Sequence, residues 1–562
     1  MNRNVESYFS LAPQVAKPRS TFDRSHDIQT TFNVGDLIVL DCSEVYPGDT
    51  FKVRTAKNIR LQTLLNPLFG TLYLDTYHFF VPDRIEYDHS EELFGENKTS
   101  PWVTSTQYVT PKITVNATDK EFLLGSIADY FGLPVGVDKL SVNAIPFRAY
   151  HDIWDTYFRD QNTQQPLNIY KGAATKALNA GSASDDYSEL YPWPRKACRY
   201  HDYFSSCTPA PQKGPSVTIP LGTVAPVYST DTFTPYYSDP LMTDLTVSGM
   251  VGYVAAGVSG TSTKEAGIRA KSALPSNGGL ADASVFGHSP GTTSVYDFTP
   301  LNLWADLGTS AAASINDLRQ AFQIQKMYEL DTFGTRYYEI LRNHFGITSP
   351  DSRLQRPEYL GGNRIALNVH QVVNSAESSS YDLGNLGAMS HTVDLHDDYV
   401  KSFVEHGFCI CVAVVRYENV FSQGIERFWS RDDRFSYYWP SLAHLGNMSV
   451  KNREIYAQGT TKDDEVFGYQ EAWADLRYAN SKCTSLMRPG VSGSLAAWNL
   501  CDYYTSLPTL SAGWIESDKG IVDRTLAVTS SVSNQILLEC HFDMKCTRVL
   551  PMYSMPGLID HF

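Results

Sequence analysis

Two short runs of the sequence combine the thiol, imidazole and carboxylate groups that can bind a metal ion. The first contains Cys540, His541, Asp543 and Cys546, all of them residue types that ligate zinc. In a β-strand alternate residues point to opposite faces, so the two cysteines diverge from the histidine and the aspartate. Ligands from one straight strand cannot surround a tetrahedral ion. We therefore predict that these residues are structural.

The second run, Cys198, His201 and Cys207, has better spacing for zinc but lacks an obvious fourth ligand. Cys409 and Cys411 alternate on an apolar stretch, which is typical of core cysteines. The sequence therefore predicts no metal and no cofactor.

The motifs that usually accompany catalysis are absent from the sequence. There is no G-x-x-x-x-G-K-[ST] phosphate loop, no H-E-x-x-H zinc helix and no G-x-S-x-G nucleophile elbow. The adjacent pairs His151–Asp152 and His201–Asp202 are expected to point apart rather than to form a relay. We expect a protein that is not an enzyme.

Basic and aromatic residues interleave in two neighbouring segments, 427–431 and 434–439. Rings beside arginines can stack the bases of a single-stranded nucleic acid without sequence preference. The same composition is typical of an aromatic-rich subunit contact or of the edge of a core. The sequence favours the second interpretation and leaves the first open.

Period-two alternation of apolar residues predicts the strands that position these side chains. The clearest predicted strands lie at 30–40, 71–81, 408–417 and 535–549. They flank an irregular middle, without the alternation of strand and helix that indicates a parallel sheet. We predict a mainly β fold, an antiparallel sandwich with long inserted loops and a few helices.

The strongest helical pattern runs from Ser314 to Phe345 and predicts a long core helix. Gly334 is a potential break that would divide this run into two helices, and Gly346 is the expected stop.

A polar loop is predicted after this helix, at 353–362. Its Arg353 and Arg356 are candidate subunit contacts, because a loop at a helix exit offers its arginines to a neighbouring subunit or to its own turn. Gly361 and Gly362 suggest backbone angles that other residues rarely adopt.

Composition limits the classes of protein that the chain can represent. Its 562 residues can bury a large core, and only 19% are charged while 12% are aromatic. The formal net charge of −15 argues against a protein whose main role is to bind nucleic acid. Nine cysteines without a regular framework favour a reduced compartment, and we expect neither a signal peptide nor a membrane span.

Composition and periodicity divide the chain into four predicted regions. Residues 1–29 are a polar, loosely draped amino-terminal arm, and 30–224 are the first part of the β body with helical insertions. Residues 225–299 are a surface insertion, and 300–562 hold the central helix and the second part of the body. The insertion is rich in Gly, Ser, Thr and Ala, so we expect no independent core in it.

Five separated stretches resemble one protein family. FGITSPDSRLQRPEYLGG, at 345–362, is similar to a segment of the major capsid proteins of the Microviridae, small single-stranded-DNA phages, in their gokushovirus branch. Four further stretches resemble the same family: RSTFDRSHDIQTTFNVGDLIVL, RAYHDIWDTYFRDQN, RYHDYFSSCTPAPQKG and PMYSMPGLIDHF. The resemblance implies an eight-stranded jelly roll and a T=1 icosahedral shell of sixty copies around circular single-stranded DNA.

The resemblance also implies partners for a chain that is located in the virion and assembles in the host bacterial cytoplasm. Sixty copies carry about −900 formal charges, the same sign as the DNA inside, so other cations must neutralise most of the genome. The expected sources are a small basic DNA-binding protein, polyamines or metal ions. A scaffolding protein and a pilot protein are further implied partners. Arg3, Lys17, Arg19 and Arg24 of the arm are the candidate DNA contacts.

The insertion is the candidate region for host recognition, over Asp231 to Thr299. In the family that the chain resembles, a long insertion in the same region forms a protrusion at each threefold axis. A receptor on the host-cell surface is the implied partner.

Two other classes of protein remain open at this stage. A non-viral carbohydrate-binding sandwich would share the fold class, but we would expect it to have a signal peptide. A jelly-roll enzyme of the cupin type needs a clustered His/Glu metal set on its strands, which the sequence does not show.

Overall fold

A computed structural model describes residues 18–98, 108–115, 122–137, 139–178, 187–217, 227–229, 303–305, 315–332, 334–375 and 383–554. The chain divides into two compact units, one formed by Met1–Lys213 with Glu329–Phe562 and the other by Gly214–Tyr328.

The described strands are, in chain order, β1 (Ser20–Asp23), β2 (His26–Phe32), β3 (Ile38–Val45), β4 (Thr50–Leu61), β5 (Leu72–Pro82), β6 (Lys112–Val115), β7 (Ser141–Asn143), β8 (Lys176–Leu178), β9 (Val227–Ser229), β10 (Leu303–Ala305), β11 (Glu358–Ala366), β12 (Val369–Val373), β13 (Leu386–Ser390), β14 (Thr392–Ser402), β15 (Gly407–Tyr417), β16 (Val420–Phe421), β17 (Asn447–Lys451), β18 (Val466–Glu471), β19 (Ser481–Lys482) and β20 (Ile536–Arg548). The described α-helices are α1 (Asp83–Glu86), α2 (Ser90–Leu93), α3 (Ile127–Tyr130), α4 (Ile145–Ile153), α5 (Ile315–Asp331), α6 (Tyr337–Phe345), α7 (Asn452–Ile455) and α8 (Lys519–Asp523), and the π-helical turn Trp154–Phe158 continues α4.

Two antiparallel sheets form the body of the larger unit. Sheet I has the strand order β1–β20–β4–β14, with β2 also paired to β20, and sheet II has the order β11–β5–β15–β3. The core between them takes side chains from both, among them Phe51 and Phe542 of sheet I and Leu74 and Val415 of sheet II. This confirms the predicted antiparallel, mainly β fold, and the arrangement is consistent with a jelly roll.

The apolar run in β15 is continuous because this strand is buried on both faces. Cys409 and Cys411 point into the core between the sheets. Ile410 and Val412 point the other way, into a second core that α3 and α4 complete with residues such as Tyr150. The larger unit therefore has three layers, sheet I, sheet II and helices, and sheet II lies in the middle.

Three of the four predicted strands are confirmed, at β5, β15 and β20. The fourth, at 30–40, is wrong as one strand, because β2 ends at Phe32 and β3 begins at Ile38. Between them the chain turns through Gly35, whose φ of 84° lies in the left-handed region. The two strands belong to different sheets, so this turn carries the chain across the sandwich.

The predicted helix at 314–345 is two helices, and the potential break at Gly334 is confirmed. The second helix, α6, ends at Gly346, which adopts a left-handed φ of 68° as a helix stop requires. The expectation of a core helix is wrong for the first one, since no side chain of α5 is buried in the described structure.

The predicted loop at 353–362 is only partly a loop, because β11 begins at Glu358 and pairs with β5. Gly361 and Gly362 do not have positive φ values. A Cβ at Gly361 would lie 2.3 Å from the backbone oxygen of Asp398, and one at Gly362 would lie 2.2 Å from that of Thr76. These glycines permit close backbone approach, which corrects the expectation of unusual backbone angles.

The end of the predicted amino-terminal arm is also corrected. Residues 20–23 and 26–32 form β1 and β2, which pair side by side along β20. The exchange of backbone hydrogen bonds fixes this part of the arm against sheet I.

In the smaller unit, β9 and β10 form an antiparallel pair in which Ser229 lies opposite Leu303. The insertion predicted at 231–299 lies outside the described residues. Among the described helices, none has the length and apolar character needed to cross a bilayer.

Candidate subunit and nucleic-acid surfaces

The cysteines of the two metal-like runs lie in the core. On β20, Cys540 and Cys546 are fully buried, whereas His541 on the other face is half exposed and contacts Asp27. This confirms the predicted divergence along the strand. In the described residues no group of three His, Cys, Asp or Glu side chains is arranged to hold a metal ion.

Cys198 and Cys207 are buried while the intervening His201 is exposed, so this run does not converge either. Burial raises the pKa of the Cys207 thiol, which keeps it protonated. Cys409 and Cys411 are confirmed as core cysteines.

The two candidate contact arginines at 353 and 356 have different environments. Arg356 donates from Nε to Oδ1 of Asp351 at 2.7 Å, and its guanidinium lies 3.8 Å from the ring centre of Tyr338. Oδ2 of Asp351 also accepts from the Tyr157 hydroxyl at 3.3 Å. Arg356 therefore holds its own turn together, whereas Arg353 is exposed.

Two of the four candidate DNA contacts lie in the described part of the chain. Arg19 donates to the backbone oxygen of Gly48. Arg24 is exposed between β1 and β2, where its backbone N donates to the carbonyl oxygen of Met544 at 2.8 Å. Arg3 and Lys17 lie outside the described residues.

Six exposed rings lie within twelve residues of sequence after β16, on the short 3-10 turns Arg427–Ser430 and Arg434–Ser436 and just after them. We call this group the aromatic surface: Phe428, Trp429, Phe435, Tyr437, Tyr438 and Trp439. Trp429 is 74% exposed and Phe435 is 70% exposed. The interpretation as a core edge is therefore wrong, and an exposed contact surface remains.

The arginines among these rings are largely engaged within the chain. Arg427 donates to the backbone oxygen of Ser449 at 3.0 Å and lies 3.8 Å from the carboxylate of Glu454. Arg431 forms an ion pair with Asp475. The aromatic surface is consequently rich in apolar area and poor in free positive charge.

A buried group of charges joins the two sheets, and sequence patterns missed it. Lys57 on β4 is 1% exposed and donates to Oγ1 of Thr76 on β5 at 2.8 Å. Asp398 on β14 lies 3.5 Å from Nε2 of His78 on β5. The available signal was the pair of acids in LHDDYV, which interrupts the alternation of a strand.

The sequence matches the family described as capsid protein (F protein) over residues 10–558, almost the whole chain. The chain belongs to this capsid protein family. Membership confirms the resemblance to the major capsid proteins of gokushovirus-type Microviridae, and it replaces the alternative of a carbohydrate-binding sandwich.

Three relatives are similar to this capsid protein along nearly their full length, and each is described as capsid protein VP1. The one from Chlamydia phage 1 is 35% identical, with 99% of this chain and 98% of the relative covered. The one from Spiroplasma virus 4 is 36% identical, covering 96% and 95%. The one from Bdellovibrio phage phiMH2K is 35% identical, covering 100% and 99%.

The capsid protein is thus a structural component of the virion. A shell protein needs exposed surfaces that copies can bury against one another, and the described residues offer such a surface.

Proposed function

We propose that this capsid protein is the major shell subunit of a T=1 icosahedral particle, in which sixty copies enclose a circular single-stranded DNA genome. The observation that carries the proposal is the match to phage capsid relatives from end to end at 35–36% identity. Symmetric self-assembly is the usual route to a closed shell from one chain. Assembly takes place in the cytoplasm of the bacterial host.

The charge of the chain supports different roles for the shell and for a DNA-binding partner inside the particle. The chain has 46 basic and 61 acidic residues, so the shell shares the sign of the genome. Counterion release through Lys and Arg drives DNA binding, and in this chain the basic residues are outnumbered by the acidic ones. A small basic DNA-binding protein neutralises most of the genome, and the amino-terminal arm adds local contacts through Arg3, Lys17, Arg19 and Arg24.

Two further partners act during assembly and entry, a scaffolding protein and a pilot protein of the same phage. The insertion at 231–299 serves host recognition by binding a receptor on the host-cell surface. Arg353, exposed beside the turn that Arg356 holds, is available for a neighbouring subunit.

The proposal is tested by nuclease protection. The chain is produced in bacteria together with the phage genome, and purified particles are treated with DNase before extraction. We expect full-length circular single-stranded DNA to survive. Particles that form but leave all DNA digestible would contradict genome enclosure, and Arg19→Ala with Arg24→Ala should lower the protected DNA without removing the shell.

A further inference from the structure

The aromatic surface has the area of a protein interface and lies uncovered on the described chain. Its six rings are between 42% and 74% exposed. Aromatic side chains offer about 150–250 Å² each, so these rings alone present roughly 600 Å² to solvent. Apolar patches on a monomer rarely exceed a few hundred Å², and a standard interface buries about 800 Å² on each partner. The aromatic surface is therefore large enough to form most of one side of a stable contact.

The rings are held in place by the backbone around them. Asp433 accepts from the backbone N of Ser436 at 2.7 Å, which caps the second 3-10 turn. Trp439 donates from Nε1 to the backbone oxygen of Arg434 at 3.0 Å. Tyr438 packs edge-on against Trp473 with ring centres 5.5 Å apart. Binding to a preorganised surface of this kind loses little conformational entropy.

The charge of the segment disfavours a nucleic acid as its occupant. Between 425 and 445 the three arginines are balanced by Glu426, Asp432 and Asp433. Two of those arginines are already engaged by acids of the chain, as described above. Few counterions would be released on binding a phosphate backbone, although that release supplies most of the affinity for single strands.

One cation at the surface suits an acidic protein partner. Arg434 lies 5.0 Å from the ring centre of Trp439, and the described residues provide no ion-pair partner for it. A second copy of this chain brings a formal net charge of −15, and thus an excess of carboxylates. An arginine among aromatic rings is the composition found at the energetic centre of protein contacts.

We propose that the aromatic surface is the contact through which one copy of this capsid protein binds a second copy. This inference rests on the proposed function, because a shell requires contacts between copies. It goes further by assigning the contact to Phe428–Trp439 and by excluding the genome as the occupant of these rings.

The test compares two phenylalanines of equal exposure. Phe435 lies in the aromatic surface and is 70% exposed, whereas Phe345 lies at the end of α6 and is 69% exposed. Full-length Phe435→Ala, Trp429→Ala/Phe435→Ala and Phe345→Ala chains are compared with the natural chain by sedimentation velocity over a dilution series. Circular dichroism and thermal melting establish that each variant is folded.

We expect the double variant to raise the dissociation constant for self-association at least tenfold, with an unchanged melting temperature, and Phe345→Ala to change it less than twofold. Trp429→Glu, which places a charge on a ring exposed to solvent, should reduce association further. Folded patch variants that associate like the natural chain would overturn the inference and leave the proposed function standing. A natural chain that never associates, even with the phage's other proteins present, would instead contradict the proposed function.

Binding of an oligothymidylate, followed by fluorescence anisotropy, gives the remaining outcome. We expect the same oligonucleotide affinity for the natural chain and the Trp429→Ala/Phe435→Ala variant. A tenfold loss of oligonucleotide affinity with unchanged self-association would overturn the inference in favour of a DNA-binding surface.

Discussion

The carboxylate of Asp398 on sheet I lies 3.5 Å from Nε2 of His78 on sheet II, in the core of the sandwich. Asp398 reaches this position because β14 contains a bulge, in which Asp397 and Tyr399 pair with Arg54 and Val53 while the residue between them is left over. The hydroxyl of Thr55 donates to the same carboxylate at 2.7 Å. The bulge thus turns one acid of an exposed pair into a buried bridge between sheets.

Asp398→Asn should lower the free energy of unfolding by about 3 kcal/mol near neutral pH, because it leaves His78 without its buried partner. Burial alone would raise the pKa of Asp398, but the hydrogen bond and charge of His78, the hydrogen bond of Thr55 and the charge of Lys57 together lower it to about 2. A depressed pKa contributes stability that is present above about pH 4 and is lost as the pH falls toward about 2. Chemical denaturation of the natural chain and the variant should therefore converge in acid.

Asp397 is the matched control for that variant. It is the neighbouring residue and also an aspartate, but its side chain is 73% exposed and pairs with Arg54 at 2.7 Å on the surface. Asp397→Asn should change the free energy of unfolding by less than about 1 kcal/mol. If Asp398→Asn lowered the free energy of unfolding by no more than Asp397→Asn does, the buried bridge would not stabilise the fold.

Asp83 should make the protein less stable as the pH rises through neutrality. Burial, followed by the charges of Glu44 and Glu405, raises the pKa of Asp83 to about 7, and its Oδ1 has no hydrogen-bond partner. The stability linked to the protonated form is complete below about pH 4 and is lost as the pH rises through about 7. Asp83→Asn should raise the free energy of unfolding by about 1 kcal/mol at pH 8 and leave it unchanged at pH 4.

The exposed Asp88 provides the comparison for Asp83. Denaturant unfolding of Asp88→Asn at pH 8 should give the same free energy of unfolding as the natural chain, because its side chain is exposed. A stability curve that is flat from pH 5 to 8 for the natural chain would contradict the buried position of Asp83.

Arg356→Ala and Arg353→Ala should separate folding from assembly. Loss of the Arg356 contacts with Asp351 and Tyr338 should cost about 2 kcal/mol of unfolding free energy. The exposed Arg353 should leave stability unchanged within about 0.5 kcal/mol but reduce the yield of particles. Melting curves and particle yields are measured on both variants. A loss of stability in Arg353→Ala as large as that in Arg356→Ala would contradict this assignment.

Residues 235–295 should be replaceable by a short Gly/Ser linker without loss of the shell. The antiparallel pairing of β9 and β10 brings the two ends of the intervening segment together, so closing a shorter loop costs little entropy. We expect shells that no longer adsorb to host cells, measured by counting particles left in solution. Normal adsorption would show that the insertion is not needed for host recognition. A deleted chain that cannot fold would show that the insertion is part of the core.

Strands with strict alternation of buried and exposed residues were predictable from the sequence. Strands whose ends or pairing depend on contacts with backbone far away in the sequence were not. β20 alternates buried and exposed residues along most of its length, so its place in the sandwich follows from period two. β2 and β3 read as one strand because apolar residues lie on both sides of the turn at Gly35, with Phe32 and Val34 before it and residues 37–40 after it. β11 read as a loop because Gly361 and Gly362 weaken a strand, although here they admit the backbone of Asp398 and Thr76.

The candidate surfaces show the same limit. The aromatic segment was recognisable by composition, but only the packing around it decides that its rings are exposed and that Arg431 is held by Asp475. The bridge between His78 and Asp398 joins residues 320 positions apart through a bulge, which no local pattern specifies.

Self-assembly into a sixty-copy shell is tested most directly by the mass of the purified particle, measured by native mass spectrometry and checked by symmetry in cryo-electron micrographs. Sixty chains of 62.8 kDa give a protein mass of about 3.8 MDa with icosahedral symmetry. That mass, with additional mass from DNA and small partners, is the result we predict. A folded chain that remains monomeric at every concentration, with the phage's other proteins present, would contradict it.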